Sequence, residues 1–448
     1  MAVGLLSHVV SDLILGKPAL PWLPSNASVR DALRALKQLG DGVSELSIWD
    51  CSGKICSHDI GDPLAQSDVG AHINCRCVGK VCMQKIVCHL ASEKSLFDFP
   101  EALDVPVSSL LEHNATNPVV QHVDPDASLL EALDLIARGV QNLVIPITRK
   151  SIHNVKQVKG STTLKARSLP ANLNIVVPKD HGGQEYCWLT PEDVLRFLLG
   201  SISIFSPLPA LSIEALGIIR SDVQMIEVGQ DACSELELIE MACQDSSAVA
   251  IVDSTTSSPG TVHFVGDISC SALQTCNELA SLALISLSAG DFLAFVQDCR
   301  KPPQILVDII RTRVHEKLGL GMRNSSHIKQ ITLKPENVTF LLHKLEMWEE
   351  SSSSEDDEYG SASPNGPHDL SHKWHSMHLR NSRKGFSVRC RSGPIFCSPR
   401  SSLIAVVLQA LAHREQYVWV TREDNSLYGI VTIRDILTVM FNHIKTFN

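Results

Sequence analysis

Two short segments combine a threonine with an aspartate three residues later, Thr432-x-x-Asp435 and Thr190-x-x-Asp193. A hydroxyl just before a helix and an acid three residues on form a cap for free backbone N–H groups. The same two groups suit a polar ligand, because a carboxylate can accept hydrogen bonds from two donors at once. The helix N-terminus beside them offers N–H groups and its dipole to a phosphate. Two interpretations therefore stay open for each segment, a helix cap and a ligand site.

The residues around Thr432 and Asp435 predict the elements that position them. Two runs of aromatic and β-branched residues flank a polar turn, which is the pattern of a β-hairpin. Apolar residues at helical spacing follow the second run, and another helical pattern precedes the first. The predicted order is β-α-β-β-α, with elements at 394–397, 401–411, 417–420, 427–431 and 433–441. Gly429 lies on the third strand.

Internal similarity indicates three further copies of this order. Residues 26–33 align with residues 126–133, because in each segment polar residues that can cap a helix are followed by an acidic residue, an alanine and a leucine. A looser third copy has strands at 223–228, 248–253 and 262–269. One such unit cannot bury its sheet alone, so four copies predict two pairs, 8–200 and 201–445.

The predicted segments differ in composition as well as in pattern. They are repeat 1 at 8–97, repeat 2 at 105–200 with a basic loop at 150–185, a linker at 201–209, repeat 3 at 210–300, connecting helices and a strand at 301–346, an acidic, Ser- and His-rich loop at 347–391, and repeat 4 at 391–445. The loop at 347–391 is too polar to form a core, which predicts disorder. Its serines 351–354 precede four acids, as in substrates of acidophilic kinases. Its histidines 368, 372, 375 and 378 fit a solvated loop better than a metal site.

The order β-α-β-β-α ending in Gly429-x-x-Thr432-x-x-Asp435 resembles a CBS motif, named after cystathionine β-synthase. The resemblance implies that copies pair into Bateman modules and that the Gly-x-x-[Ser/Thr]-x-x-Asp end contacts an adenosine ligand. Four motifs in two pairs resemble the plant CBSX proteins and, more distantly, the γ subunits of AMP-activated/SNF1-type kinases. The fold class implied is α/β, with four βαββα CBS repeats in two pairs.

The four repeat ends match this motif unequally. Repeat 4 is intact, with Gly429, Thr432 and Asp435. Repeat 2 keeps Thr190 and Asp193, but 186–188 replaces the glycine-bearing strand. Repeat 1 has Cys82 and Lys85 in place of the hydroxyl and the acid, and repeat 3 keeps Ser269 without an acid. Each pair is therefore expected to keep one ligand site of its two.

Composition narrows the classes of partner and compartment. The formal charge of −10 disfavours nucleic acid, because phosphate binding depends on Lys and Arg. No apolar run approaches the length of a membrane span. The N-terminus resembles neither a signal nor a transit peptide, and 14 scattered cysteines fit a reducing compartment, so we expect the cytoplasm or nucleus. The N-terminal cysteines at 51, 56, 75, 77, 82 and 88 lack zinc-knuckle spacing, which favours buried small hydrophobes and loop thiols over a metal site.

No P-loop, dinucleotide, nucleophile-elbow or zinc-protease motif occurs, so nothing in the sequence argues for catalysis. The expected function is a non-catalytic regulatory protein without a cofactor, which senses AMP, ADP, ATP or an S-adenosyl compound. The resemblance implies partners such as a redox protein or a kinase complex, and a homodimer stays open. One alternative is a ligand-free CBS scaffold for protein–protein interaction. Another is a γ-like regulatory subunit of an SNF1-type kinase complex.

Overall fold

Four small sheets of three strands each organise the chain. The computed structural model describes residues 7–39, 43–51, 75–111, 120–147, 184–255, 262–299, 302–317, 343, 346 and 393–446. The predicted loop at 347–391, with its serines and histidines, lies outside these residues, as do Cys56 and all but the last two residues of the predicted loop at 150–185.

The first two repeats follow the predicted order of strands and helices. Repeat 1 contains α1 (Val10–Leu13), β1 (Trp22–Pro24), α2 (Val29–Leu39), β2 (Glu45–Asp50), β3 (Arg76–Cys82), α3 (Met83–Ala91) and α4 (Glu93–Phe97), and α5 (Phe99–Asp104) follows it before repeat 2. Repeat 2 contains β4 (Val120–His122), α6 (Leu129–Ala137), β5 (Asn142–Pro146), β6 (Tyr186–Leu189) and α7 (Pro191–Leu199). The segment predicted as a linker forms short 3₁₀ turns at Ile202–Phe205 and Leu208–Ala210.

The last two repeats have the same order. Repeat 3 contains β7 (Met225–Glu227), α8 (Leu236–Gln244), β8 (Ala248–Asp253), β9 (His263–Ser269), α9 (Cys270–Leu273), α10 (Leu279–Ser286) and α11 (Ala289–Gln297). Helix α12 (Gln304–Lys317) lies in the segment 301–346, predicted as connecting helices and a strand. Repeat 4 contains β10 (Phe396–Cys397), α13 (Leu403–His413), β11 (Tyr417–Thr421), β12 (Leu427–Thr432) and α14 (Ile433–Lys445). In every sheet the first strand runs parallel to the second, and the third runs antiparallel to it.

The sheets of consecutive repeats pack face to face, as predicted for two pairs. In repeats 1 and 2 the contact is a buried cluster of Trp49, Cys77, Val120 and Val144. In repeats 3 and 4 it is a buried cluster of Ala248, Ala250, Val252, Tyr417, Trp419 and Ile430. Aromatic and β-branched residues suit this role, because they fill a pleated, half-buried surface. The fold is thus α/β with four CBS-type repeats in two pairs.

Within each pair, the segment that precedes the first strand of one repeat packs on the other repeat. Residues before β1 of repeat 1 pack on repeat 2, where Val10 N–H donates to Ala127 O at 2.9 Å. Residues before β4 of repeat 2 pack on repeat 1, where Val107 N–H donates to Ala27 O at 2.7 Å. The second pair repeats the pattern at the bridges Ser212–Ser402 and Asp231–Ser288. This shared exchange makes the two pairs equivalent in construction.

The helices join the two pairs. Helix α3 of repeat 1 packs against α8 and α10 of repeat 3, while α14 of repeat 4 packs against α6 and α7 of repeat 2. One continuous apolar core accordingly runs through repeats 1 and 3, and a second runs through repeats 2 and 4. Sheet contacts thus connect repeat 1 to repeat 2 and repeat 3 to repeat 4. Helix contacts connect repeat 1 to repeat 3 and repeat 2 to repeat 4.

Within the described ranges, no helix combines the length and the apolar composition that a membrane crossing requires.

Candidate functional site

The end of repeat 4 forms a complete capping box at the start of α14. Thr432 donates to Asp435 Oδ2 twice, from its backbone N–H at 2.9 Å and from its Oγ1 at 2.7 Å. Asp435 N–H donates back to Thr432 Oγ1 at 3.2 Å. Thr432 is buried and Asp435 half-buried. The helix cap foreseen for these residues is therefore present, and it uses one of the two carboxylate oxygens.

Gly429 has a packing role of its own. The backbone of Arg220 forms a two-hydrogen-bond bridge with Ile430, one residue away, at 2.9 and 3.0 Å. A Cβ on residue 429 would lie 2.5 Å from Arg220 O and 2.7 Å from Ile219 Cγ2, which no side chain tolerates. The glycine is thus required for the close approach of the chain segment that precedes β7 of repeat 3.

The end of repeat 2 carries the same cap and one additional cation. Thr190 donates to Asp193 Oδ2 from its N–H at 2.8 Å and from its Oγ1 at 2.6 Å, and Pro191 occupies the first helical position. The ammonium of Lys17 also donates to Asp193 Oδ2, and to Trp188 O at 2.8 Å. The Asp193 carboxylate is therefore held by an ion pair, which the sequence did not reveal.

Repeats 1 and 3 lack the complete box, as their sequences predict. Cys82 precedes α3 without any side-chain cap bond. Ser269 precedes α9 and accepts a hydrogen bond from Ala272 N–H at 3.1 Å, with no carboxylate to return it. The helix starts of repeats 1 and 3 consequently offer no acidic group to a ribose.

All four repeats border a central cavity of about 280 Å³. Its walls include Lys80, Cys82 and Lys85 of repeat 1, Thr190 and Glu192 of repeat 2, Cys243 and Cys270 of repeat 3, and Arg414 and Glu415 of repeat 4. Of the predicted site residues, only Thr190 is among the lining residues that the structure describes. The predicted residues therefore do not form one shared site, and Thr432 and Asp435 are not among the residues that line this cavity.

A buried polar network spans repeats 1 and 2 at this cavity. Lys80 Nζ donates to Glu45 Oε1 at 2.7 Å and to Asn142 Oδ1 at 3.3 Å. Burial lowers the pKa of the Lys80 ammonium, but the charge and hydrogen bond of Glu45, together with Cys270 and Cys243, raise it above its ordinary value. Lys80 thus keeps its charge, and the network ties the two sheets together.

A three-cysteine cluster, defined as Cys82, Cys243 and Cys270, lies in the cavity wall. Its Sγ atoms all lie within 4.8 Å of one another. Hydrogen bonds with the Cys243 and Cys270 thiols lower the pKa of Cys82 well below its ordinary value. The sequence predicts Cys82 as a small buried hydrophobe and as the thiol in place of the cap hydroxyl of repeat 1, and it disfavours zinc for the N-terminal cysteines. It indicates no role for Cys243 or Cys270. The available signal was positional, because Cys82 occupies the cap position of repeat 1 and Cys270 follows the cap of repeat 3.

The comparisons with known proteins agree with this architecture. The model of the CBS domain family matches residues 387–442, which contain the complete motif end of repeat 4. The Arabidopsis thaliana protein "CBS domain-containing protein CBSX5" is 36% identical over 98% of this chain and 98% of its own. "CBS domain-containing protein CBSX6" of the same plant is 28% identical over 98% of this chain and 95% of its own.

A further similarity covers only part of the chain. The Arabidopsis thaliana "SNF1-related protein kinase regulatory subunit gamma-like PV42b" is 21% identical over 38% of this chain and 46% of its own. The full-length match to CBSX5, together with the four paired repeats, shows that this chain belongs to the CBS domain-containing proteins.

Proposed function

We propose that this protein is a non-catalytic regulatory module that binds an adenosine-containing ligand at the end of repeat 4. The observation that carries the proposal is that one of the two carboxylate oxygens of Asp435 is left without a hydrogen bond by the described residues. The hydrogen bonds of this residue divide unequally between its two oxygens. Its Oδ2 takes both cap bonds from Thr432, while Oδ1 receives no hydrogen bond from the residues that the structure describes. Oδ1 can therefore accept from a ribose hydroxyl, beside a helix N-terminus that favours a phosphate.

The position of α14 gives such a ligand a route to the rest of the molecule. This helix packs against α6 and α7 of repeat 2, so a ligand at its start acts on the contact between the two pairs. Binding shifts the arrangement of the pairs only as far as the ligand prefers one arrangement over another. We propose that a partner, either a redox protein or a kinase complex, senses that shift. The partial similarity to PV42b supports the kinase complex.

A thermal-shift screen of the full chain with AMP, ADP, ATP and S-adenosylmethionine tests the proposal. A ligand at 100 times its Kd stabilises the folded state by about 2.7 kcal/mol, which is a measurable shift. We expect Asp435→Asn to abolish the shift given by the active ligand.

Asp31→Asn is the matched control. Asp31 and Ser28 make the same three cap bonds, at 3.2, 2.8 and 3.1 Å, at the start of α2. The control should lower stability without changing the ligand-induced shift. Absence of a shift with all four compounds, or an undiminished shift in Asp435→Asn, would contradict nucleotide sensing.

The second candidate is a scaffold that binds no small molecule. It is favoured by the capping boxes and by the contact between Gly429 and Arg220, which account for every predicted site residue without a ligand. A scaffold shows no ligand-induced stabilisation, and its binding to a partner is unaffected by adenine nucleotides. Affinity purification distinguishes the third candidate, a γ-like subunit of a kinase complex, from the other two functions. Only that candidate requires a kinase to co-purify with the protein.

A further inference from the structure

The three-cysteine cluster is built from separate parts of the fold. Cys82 ends β3 of repeat 1, Cys243 lies in the last turn of α8, and Cys270 begins α9. The Sγ atom of Cys82 is 3.6 Å from that of Cys243 and 3.9 Å from that of Cys270, while Cys243 and Cys270 are 3.0 Å apart. Three sulfurs thus converge across the interface between repeats 1 and 3.

Ordinary core packing does not account for this arrangement. Cys88, Cys276 and Cys299 are also buried, and they belong to the apolar core of repeats 1 and 3 as small hydrophobes. The three converging cysteines lie outside that core, although Cys82 and Cys243 are only 6% and 7% exposed. They instead face one another and the central cavity.

We propose that the three-cysteine cluster binds a single thiophilic metal ion, Zn²⁺, with the central cavity supplying the fourth ligand. A tetrahedral zinc with Zn–S bonds of about 2.3 Å places its sulfurs about 3.8 Å apart. Two of the three Sγ separations, 3.6 and 3.9 Å, already match this spacing. Only the pair Cys243 and Cys270, at 3.0 Å, has to separate, and that requires a small side-chain rotation.

The surroundings fit a three-sulfur site with one open position. The metal-ligand group contains no fourth His, Cys, Asp or Glu within the described chain, and all three cysteines border the cavity. Water or a small anion in the cavity therefore completes the coordination. Three thiolates and Zn²⁺ leave one net negative charge, and the cavity also contains Lys85. Binding forms three Zn–S bonds and releases the protons of the bound thiols to solvent.

The metal would bridge the two pairs, because Cys82 belongs to repeat 1 and the other two cysteines to repeat 3. Zinc therefore stabilises the contact between pairs by mass action, as any ligand of the folded state does. This role is independent of nucleotide binding at Asp435. The site can exist even if the protein binds no nucleotide.

Zinc titration of the full chain, reduced and stripped of metal, tests the proposal. Competition with a chromophoric chelator measures the affinity of Zn²⁺ alone, and Co²⁺ reports sulfur ligands through thiolate-to-metal charge-transfer absorption. Cys82→Ser, Cys243→Ser and Cys270→Ser should each weaken Zn²⁺ more than about tenfold, since loss of even an outer-shell partner costs that much. Cys276→Ala, a buried cysteine outside the cluster, should leave the affinity unchanged.

X-ray absorption on the zinc-loaded, unsubstituted chain keeps the test valid if a variant misfolds. We expect three sulfur neighbours at about 2.3 Å and one lighter atom. Failure of the reduced chain to bind zinc, fewer than three sulfur neighbours, or unchanged affinity in all three serine variants would overturn the proposal. A Cys243–Cys270 disulfide that persists under reductant and excludes zinc would also overturn it.

Discussion

The ends of repeats 2 and 4 differ from those of repeats 1 and 3 in the side chains that start the helix after the third strand. Repeats 2 and 4 have a threonine and an aspartate that cap each other. Repeats 1 and 3 have cysteines at or beside the same position, and these meet in one cluster. Repeats with the same kind of end also share an apolar core, because repeats 2 and 4 belong to one core and repeats 1 and 3 belong to the other.

This grouping gives the two repeats of each pair different chemical groups at the start of the helix after the third strand. Every pair contains one end with a carboxylate and one end with a thiol, as its two repeats belong to different helical cores. The carboxylate ends suit a small polar ligand that donates hydrogen bonds. The thiol ends suit a metal ion that links repeat 1 of one pair to repeat 3 of the other. The fold alone specifies neither chemistry, because each depends on the side chains at its own helix start.

The largest expected effect tests whether the two helical cores are equivalent. Met440 of α14 and Ile86 of α3 are both fully buried in the helices that join the pairs. Met440→Ala and Ile86→Ala should each lower the free energy of unfolding by about 2–5 kcal/mol, through lost burial and the cavity left behind. Urea denaturation followed by circular dichroism measures both. A loss below about 1 kcal/mol for one variant only would mean that its core is looser and that the comparison fails.

A smaller effect separates the capped from the uncapped helix start. Thr432→Val keeps the shape of the side chain and removes the hydroxyl that bonds Asp435, so we expect a loss of about 1 kcal/mol. Cys82→Ala is the matched change in repeat 1, where no cap bond exists. In metal-free protein it should cost less than Thr432→Val by urea denaturation. An equal or larger cost for Cys82→Ala would show that the cap is not what distinguishes the two ends.

The smallest effect concerns the difference between the two capped ends. Lys17→Met removes the cation from Asp193 while keeping most of the side-chain length. Because the pair is partly exposed, we expect a loss of at most about 1 kcal/mol in unfolding free energy. Arg196→Met, which removes a more exposed pair with Glu192 on α7, is the control and should cost less. A cost for Lys17→Met no greater than for the control would mean that the ion pair does not hold Asp193.

Local features of the fold could be predicted from the sequence. Thr432 and Asp435 are three residues apart, so their hydrogen bonds are decided within one helical turn. The hairpin of β11 and β12 and the repetition of βαββα units likewise depend on short-range patterns. The repeats also predict two pairs, because each unit has an apolar sheet face that it cannot bury alone.

Contacts between distant parts of the chain could not be predicted in the same way. Lys17 and Asp193 are separated by 176 residues, and Cys82 and Cys243 by 161, so no local spacing links them. The contact of repeat 1 with repeat 3 has no distinctive sequence pattern either, because the buried face of a helix is apolar whichever element it packs against. The roles of Lys17 and of the three cysteines therefore emerged only from the packing of the helices.

Calorimetric titration of the thermal-shift ligand into Asp435→Asn and Asp193→Asn tests the central claim most directly. The account assigns ligand binding to Asp435 rather than to Asp193, because the Lys17 ammonium pairs with Asp193 Oδ2, while no ion pair with Asp435 occurs among the described residues. It predicts one binding event in the unsubstituted chain, no detectable heat from Asp435→Asn, and unchanged affinity in Asp193→Asn. Equal loss in both variants, or loss in Asp193→Asn alone, would contradict it.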